Sequence, residues 1–397
     1  MKDNIRKMTQ ADSQAMFELA AYAFNSEKTE MRKKRFDWLV DCSANYGCFE
    51  DDQLTAQIIA TPFTIDFHGT TYKMSGIGSV SSYPEYRGQG NISALMKQIL
   101  FDLKTEKTAL SYLAPFSYPF YRRYGYEQLF EQIEYKISSR DWPQTPLTDR
   151  HIYRCNWEEA KPAITSIYEQ WLAENPGGVV REDWWLDYKF SLGKDYRFAI
   201  VENPLGKVEG YLVYEVTVEQ FVIHEWLALN QKSYTALAGF IGSHSGATHQ
   251  FYYKKGFSGE QLSYLMPSPL LEIQIQPYMM GRIVDFESFI EAYPFIPEST
   301  EATFYLELQD DYGPWNNGIW QLIIKDGKTT IKKDITPTAE IAGKILHANI
   351  QGWTQFFMGY ASGKKLHFHE IITGEAKQIE YFDQFIPEGK PVLEDYF

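Results

Sequence analysis

The apolar positions of this chain fall into three successive blocks, each with its own mix of strand and helix spacing. In the first block, residues 5–8 read as a short strand and 11–24 as an amphipathic helix. Residues 47–50 and 54–67 read as the next strands, and His68-Gly69 turns the chain toward Tyr72-Lys73-Met74. A β-rich run ends at Ser82, residues 92–100 carry helical spacing, and 108–114 are apolar enough for a buried strand. The alternating run 131–137 is expected to close the block, before the polar, proline-punctuated residues 141–148.

The second block repeats the plan in a worn form. Helices are predicted over 157–174 and through Trp184-Trp185-Leu186. A hairpin joins 198–201 to 208–214 about Asn203-Pro204-Leu205-Gly206, a strand follows over 221–229, and a helix over 234–244. The third block starts near Arg282-Ile283-Val284-Asp285. Residues 304–308 and 318–324 alternate as strands about Asn316-Asn317-Gly318, and 338–347 and 353–358 read as helices. A chain of 397 residues is too long for one core. The expected domains are 1–143, 144–280 and 281–397.

Charge and composition narrow the function classes. The net charge of −14 argues against a nucleic-acid binder, which needs a basic face, and an acidic field concentrates amines. No apolar run approaches the roughly 20 residues that span a bilayer. The start Met1-Lys2-Asp3-Asn4-Ile5-Arg6 lacks the apolar core of a signal peptide. Cys42, Cys48 and Cys155 have no metal-like spacing and fit a reducing compartment, so the cytoplasm is the expected address.

Candidate chemistry concentrates at Val80-Ser81-Ser82, Arg87-Gly88-Gln89-Gly90 and Asn91-Ile92. A strand, a glycine turn and a helix N-terminus together suit a pyrophosphate, because first-turn N–H groups and the helix dipole favour an anion. Gly88 and Gly90 let the backbone approach closely, and Arg87 adds a permanent positive charge. Gly-Lys-Ser/Thr is missing, so this is not a Walker loop, and the triple-glycine dinucleotide fingerprint is missing too. The segment resembles motif A of the Gcn5-related N-acetyltransferases: Arg87 and Gly90 match, and Ile92 stands where Gly or Ala is usual. That resemblance implies acetyl-coenzyme A as co-substrate, its pyrophosphate on the turn and its pantetheine arm along the backbone of Val80, Ser81 and Ser82. It also implies Ser117 as a cofactor contact.

A second segment points the same way. After the strand over 108–114 comes a short proline-opened helix with Phe120-Tyr121, then Gly125-Tyr126. Acetyltransferases of this kind end their cofactor site with such a pattern. The leaving thiolate needs a proton, and a phenol, protonated at neutral pH, can supply it. The resemblance selects Tyr121; by spacing alone Tyr118, Tyr124 and Tyr126 compete.

Taken over the whole chain, the plan is similar to the enhanced-intracellular-survival (Eis) acetyltransferases. The fold class implied is α/β (α+β): two tandem acetyltransferase-like domains, the second degenerate, and a C-terminal sterol-carrier-protein-like α+β domain. The junction Leu229-Asn230-Gln231-Lys232-Ser233-Tyr234 holds neither Gly nor Arg, so no second cofactor turn is expected. The family implies transfer to an amine such as an aminoglycoside or another polycation, a hexamer, and no metal. It also implies that the terminal carboxylate, here that of Phe397, reaches the active site as the base. An acidic penultimate residue is frequent in the family; Tyr396 stands there. The rival reading is a non-catalytic acyl-coenzyme A or lipid-binding protein using the tail domain as its pocket. His367-Phe368-His369-Glu370 looks metal-like, but an ordinary strand with no third ligand is the expectation.

Overall fold

The computed structural model describes residues 4–269, 271–298 and 300–397; Met1-Lys2-Asp3 of the signal-peptide reading lie outside them. Two compact units result. Met1–Leu129, Tyr278–Pro391 and Asp395–Phe397 form the first, and Phe130–Pro277 with Val392–Glu394 the second.

In the first unit, β1 (Ile5–Met8), β2 (Ala44–Glu50), β3 (Gln53–Phe67) and β4 (Thr70–Ser82) form an antiparallel run. β5 (Leu110–Leu113) pairs parallel to β4, and β6 (Glu127–Gln128) lies at the far end. Residues 54–61 of β3 are buried without alternation, as expected of a strand covered on both faces. Two helices, α1 (Ser13–Ala23) and α3 (Asn91–Thr105), contact β3 and β4. Leu95, Met96, Ile99, Leu100 and Leu103 make one stripe of α3 and pack on Tyr46, Ala56, Ile58 and Ile77. A short α4 (Tyr118–Arg122) follows β5.

α2 (Glu30–Asp41) was not predicted. Arg32-Lys33-Lys34-Arg35 obscures its apolar period, and only Val40 is buried. Its start is fixed by Thr29, whose hydroxyl accepts the Arg32 N–H at 3.2 Å.

Two features of β4 open the sheet. Its pairing with β5 covers only Met74–Ile77, while β4 itself runs on to Ser82. Opposite β3, Gln57 pairs with Ser81 and Ile59 with Gly78, so Ile58 alone faces Ser79 and Val80. This is a bulge, with Ser79 at φ 51°.

The strand Met280–Ile283 pairs antiparallel with both β5 and β6. Residues expected to open the third block therefore complete the first sheet. The same unit contains a second sheet in which Ala302–Gln309 pairs antiparallel with Gly318–Lys325 and parallel with Ile345–Asn349. The helix expected over 338–347 does not form. A 3-10 turn at Ala342–Lys344 leads into Ile345–Asn349, whose Ile345 and Leu346 are buried beside Tyr305 and Leu306. Pairing with a distant strand overrides local propensity there. The interior behind this sheet is filled by rings: Phe304 stacks on Phe382 at 4.2 Å, and Trp353, Phe356 and Phe357 are fully buried.

The second unit is built on one sheet, ordered Glu272–Pro277, Glu131–Ser138, Gln250–Gly256, Gln220–Ala228, Val208–Val216, Arg197–Glu202 and His151–Cys155. The predicted hairpin forms between Arg197–Glu202 and Val208–Val216. Glu131–Ser138 alternates as expected, yet it joins this sheet and does not close the first. Alternation identifies a strand and its buried face, not its partner.

Candidate active site

The cofactor-like segment folds as strand, turn and helix. After Ser82 a 3-10 turn (Pro84–Tyr86) leads to Arg87, whose N–H bonds the Pro84 carbonyl at 3.1 Å. Gly88 and Gly90 both lie at φ 79°, a left-handed conformation that side chains resist. A Cβ at either would meet no neighbouring atom, so conformation, not crowding, selects glycine here. Gly90 is the N-cap of α3 and offers no capping side chain. The first-turn N–H groups of a helix have no partner within it and seek one from outside.

Residues 87–90 are exposed around this end, and Gln89 Nε2 donates to the Glu85 carbonyl at 3.3 Å. Asn91 is buried, with Nδ2 3.5 Å from Thr55 Oγ1. Ile92 packs its half-buried side chain on the core cluster, which accommodates a large residue at the position where the motif has Gly or Ala. Ser81 is buried and its hydroxyl donates to the Ser79 carbonyl. Val80, Ser81 and Ser82 lie beyond the last β4–β5 pair, where β4 has no strand partner on that side among the described residues. Apart from Ser117, the predicted cofactor residues lie on one strand end, the turn after it and one helix start.

Ser117 is the N-cap of α4, and its carbonyl accepts the Tyr121 N–H at 3.3 Å. Tyr121 is buried, with Phe116 and Phe120 against its ring at 5.3 and 5.0 Å. Two of the competing tyrosines have engaged hydroxyls. Tyr124 pairs its hydroxyl with Ser93 on α3 at 2.9 Å, and Tyr126 with Ser111 at 2.7 Å. Among the described residues the Tyr121 hydroxyl has no hydrogen-bond partner. Burial, with smaller contributions from Tyr126, Tyr124 and Tyr396, raises its pKa well above the usual phenol range. Tyr121 therefore keeps its proton at neutral pH.

The turn after α4 is held by a residue whose role the sequence did not disclose. Arg282, fully buried, donates one Nη to the Tyr124 carbonyl and the other to Asp310. Gly125, at φ 83°, is pressed against it: a Cβ there would lie 2.6 Å from Arg282 Nη1. Nothing local marks this pair, because Arg282 and Asp310 meet only through the fold.

Phe397 lies on β4. Its ring packs on Phe63 with centroids 4.9 Å apart, and its carboxyl carbon is 3.6 Å from where a Cβ on Gly78 would stand. Tyr396 is 66% exposed and stacks on Tyr278. His367 and His369 are at the end of the helix Gly363–Phe368, not on a strand as expected. Among the described residues no cluster of three or more His, Cys, Asp or Glu side chains is arranged for a metal ion.

Comparison with known proteins decides the family. Acetyltransferase (GNAT) domain models match residues 4–129 and 177–283, and a sterol carrier protein domain model matches 286–394. A crystal structure from Enterococcus faecalis, described as a probable N-acyltransferase, is 47% identical over 99% of both chains, with a TM-score of 0.94. The chain belongs to the GNAT acetyltransferases.

It is an N-acetyltransferase with two tandem GNAT domains and a sterol-carrier-like domain, and the GNAT fold implies acetyl-coenzyme A as co-substrate. An uncharacterised N-acetyltransferase of Streptomyces avermitilis is 21% identical over 83% of this chain and 84% of its own. Eis1 of Mycobacterium abscessus is 18% identical over 99% of this chain and 100% of that one, with a TM-score of 0.77, and so shares the fold. No helix among the described residues is long and apolar enough to cross a membrane.

Proposed function

We propose that this GNAT enzyme acetylates an amine directly, with Tyr121 as general acid and the Phe397 carboxylate as base. The reading rests above all on the seating of the Phe397 carboxyl group beside Gly78, where the β4–β5 pairing of the described residues has just ended. A terminal carboxylate, with an ordinary pKa near 3.5, is ionised at pH 7 and can hold an incoming ammonium. It takes one proton, directly or through water, as the amine nitrogen bonds the thioester carbonyl carbon. The C–S bond breaks, the Tyr121 hydroxyl gives its proton to the leaving sulfur, and the second proton lost by the nitrogen returns through water to the Tyr121 oxygen.

In this reading Gly88, Gly90, Asn91 and Ile92 offer backbone N–H groups to the pyrophosphate, with Arg87 beside them. Val80, Ser81 and Ser82 pair with the pantetheine arm, and Ser117 contacts the same ligand. The net charge of −14 suits a cationic acceptor, of which an aminoglycoside or polyamine is the first to try. A hexamer in the cytoplasm is part of the same proposal, and sedimentation of the purified enzyme tests the assembly. The rival lipid-binding reading gains nothing from the tail domain, whose interior is occupied by Phe304, Phe356, Phe357 and Phe382.

The test is thiol release from acetyl-coenzyme A against a panel of amines. Tyr121→Phe should lower kcat by about 100-fold or more, the usual worth of a positioned acid, while calorimetric coenzyme A binding stays as in the parent. Turnover at the parent rate in that variant would remove Tyr121 from the chemistry.

A further inference from the structure

We propose that Gly76 and Tyr278 are positioning residues that seat the chain's own C-terminus, and that Phe397 is bound in the first unit much as a ligand would be. The proposal rests on the reading of the Phe397 carboxylate as the base.

Gly76 is in mid-strand, opposite Thr61 of β3 and Tyr112 of β5. Its φ is not positive, so its backbone does not require glycine. A glycine inside a central strand weakens it and usually marks a close approach. Here the approach is by the terminal ring. A Cβ on Gly76 would come within 2.5 Å of Phe397 Cδ2 and 3.0 Å of the Phe63 ring. Two residues on, and so on the same face of the strand, Gly78 faces the Phe397 carboxyl carbon. Two glycines thus make a notch for the ring and a shelf for the carboxylate.

The preceding residues are also fixed. Tyr278 Oη donates to the Asp395 carbonyl at 2.9 Å, and its ring stacks on Tyr396 with centroids 6.1 Å apart. Asp395 is fully buried. Within the second unit, Val392 N–H bonds the Pro176 carbonyl at 2.8 Å. There too, Lys189 Nζ donates to the Glu394 carbonyl at 3.0 Å, and Gly256 N–H to Glu394 Oε1 at 3.1 Å. Chain ends ordinarily fray because nothing offsets their conformational entropy. This one makes a specific contact at nearly every residue from Val392 to Phe397.

Carboxypeptidase A, which removes accessible C-terminal aromatic residues, reads the seat directly. Mass spectrometry of the intact enzyme would follow loss of Phe397 in the parent, Gly76→Ala and Tyr278→Phe, each alongside turnover. Gly76→Ala should speed that loss at least about tenfold, because an added methyl group overfills the notch. Its turnover should fall to that of the enzyme lacking Phe397, and deleting Phe397 from it should then cost little more. Tyr278→Phe keeps the ring, removes one hydrogen bond and should speed the loss about threefold to fivefold. It keeps the test meaningful if Gly76→Ala disturbs the sheet. Release at the parent rate in both variants would overturn the seat. Faster release, with turnover indifferent to deletion of Phe397 from the parent, would uphold the seat and overturn the base.

Discussion

The two GNAT domains each pass from a strand into a helix at the corresponding place, and the two helix starts are finished in opposite ways. α3 begins at Gly90, with no side chain over its first turn and an exposed glycine turn before it. The helix Gln231–Gly242 begins at Asn230, whose side chain accepts the Ser233 N–H at 3.0 Å. Ser233 Oγ also donates to Glu209 at 2.9 Å, and Glu209 takes further bonds from Arg150 at 2.7 Å and Asn203 at 3.0 Å. Orphan N–H groups of a helix must be satisfied by something. The second domain satisfies one of them, that of Ser233, from its own side chains and places the Glu209 carboxylate beside this helix start. In the proposed reading the first turn of α3, which has no capping side chain, meets the cofactor. The two domains thus share a strand-to-helix passage and differ in how its helix start is finished.

The largest expected effect comes from breaking the closed site. Arg150→Met leaves Glu209 buried beside no cation and should cost about 3–5 kcal/mol of stability, read as a lower denaturant midpoint. The KM for acetyl-coenzyme A should be unchanged. A changed KM would mean that the second helix start takes part in cofactor binding after all. The same carboxylate sets a pH dependence. Burial acts to raise the Glu209 pKa, but hydrogen bonds from Asn230, Ser233, Asn203 and Arg150 outweigh it and hold the group down to about 2. Its folded value lies below the ordinary glutamate value near 4.3. The stability it contributes is therefore complete above about pH 5 and is lost as pH falls toward 2. In Glu209→Gln that part of the acid loss should disappear from a pH series of unfolding curves.

Next in size is the open site. Arg87→Ala should raise the KM for acetyl-coenzyme A about tenfold, the worth of one hydrogen bond to a charged group. Arg87 is exposed, so the melting temperature should not move. An unaltered KM would reduce the turn to a simple helix start. The smallest effect is expected at the cap. Asn230→Ala should cost about 1 kcal/mol of stability and nothing in turnover, whereas α3 has no capping side chain to lose.

Much of the open site was legible along the chain because its parts are consecutive. Val80 to Ile92 and Ser117 to Tyr126 each form one local strand–turn–helix passage, and glycines at left-handed positions announce themselves. The closed site was legible only as a lack, since its junction holds neither Gly nor Arg. Glu209, Arg150 and Asn203 come from separate strands and loops. The same distance hid Arg282, which reaches the Tyr124 carbonyl from 158 residues away. Two of the expectations that failed did so for one reason. Residues 131–137 and 338–347 have local patterns that leave the partner, or even the element, open.

What the sequence by itself determined is most of the order of elements, the glycine turn before α3 and the GNAT family, because periodicity, glycine and short motifs act over a few residues. Only the tertiary structure decided which strand completes which sheet and that the hydroxyls of Tyr124 and Tyr126 are taken by Ser93 and Ser111. It alone also decided that a glycine in mid-β4 makes room for the last residue of the chain. Those outcomes depend on contacts between residues far apart in sequence, where packing and hydrogen-bond satisfaction choose among locally equivalent possibilities.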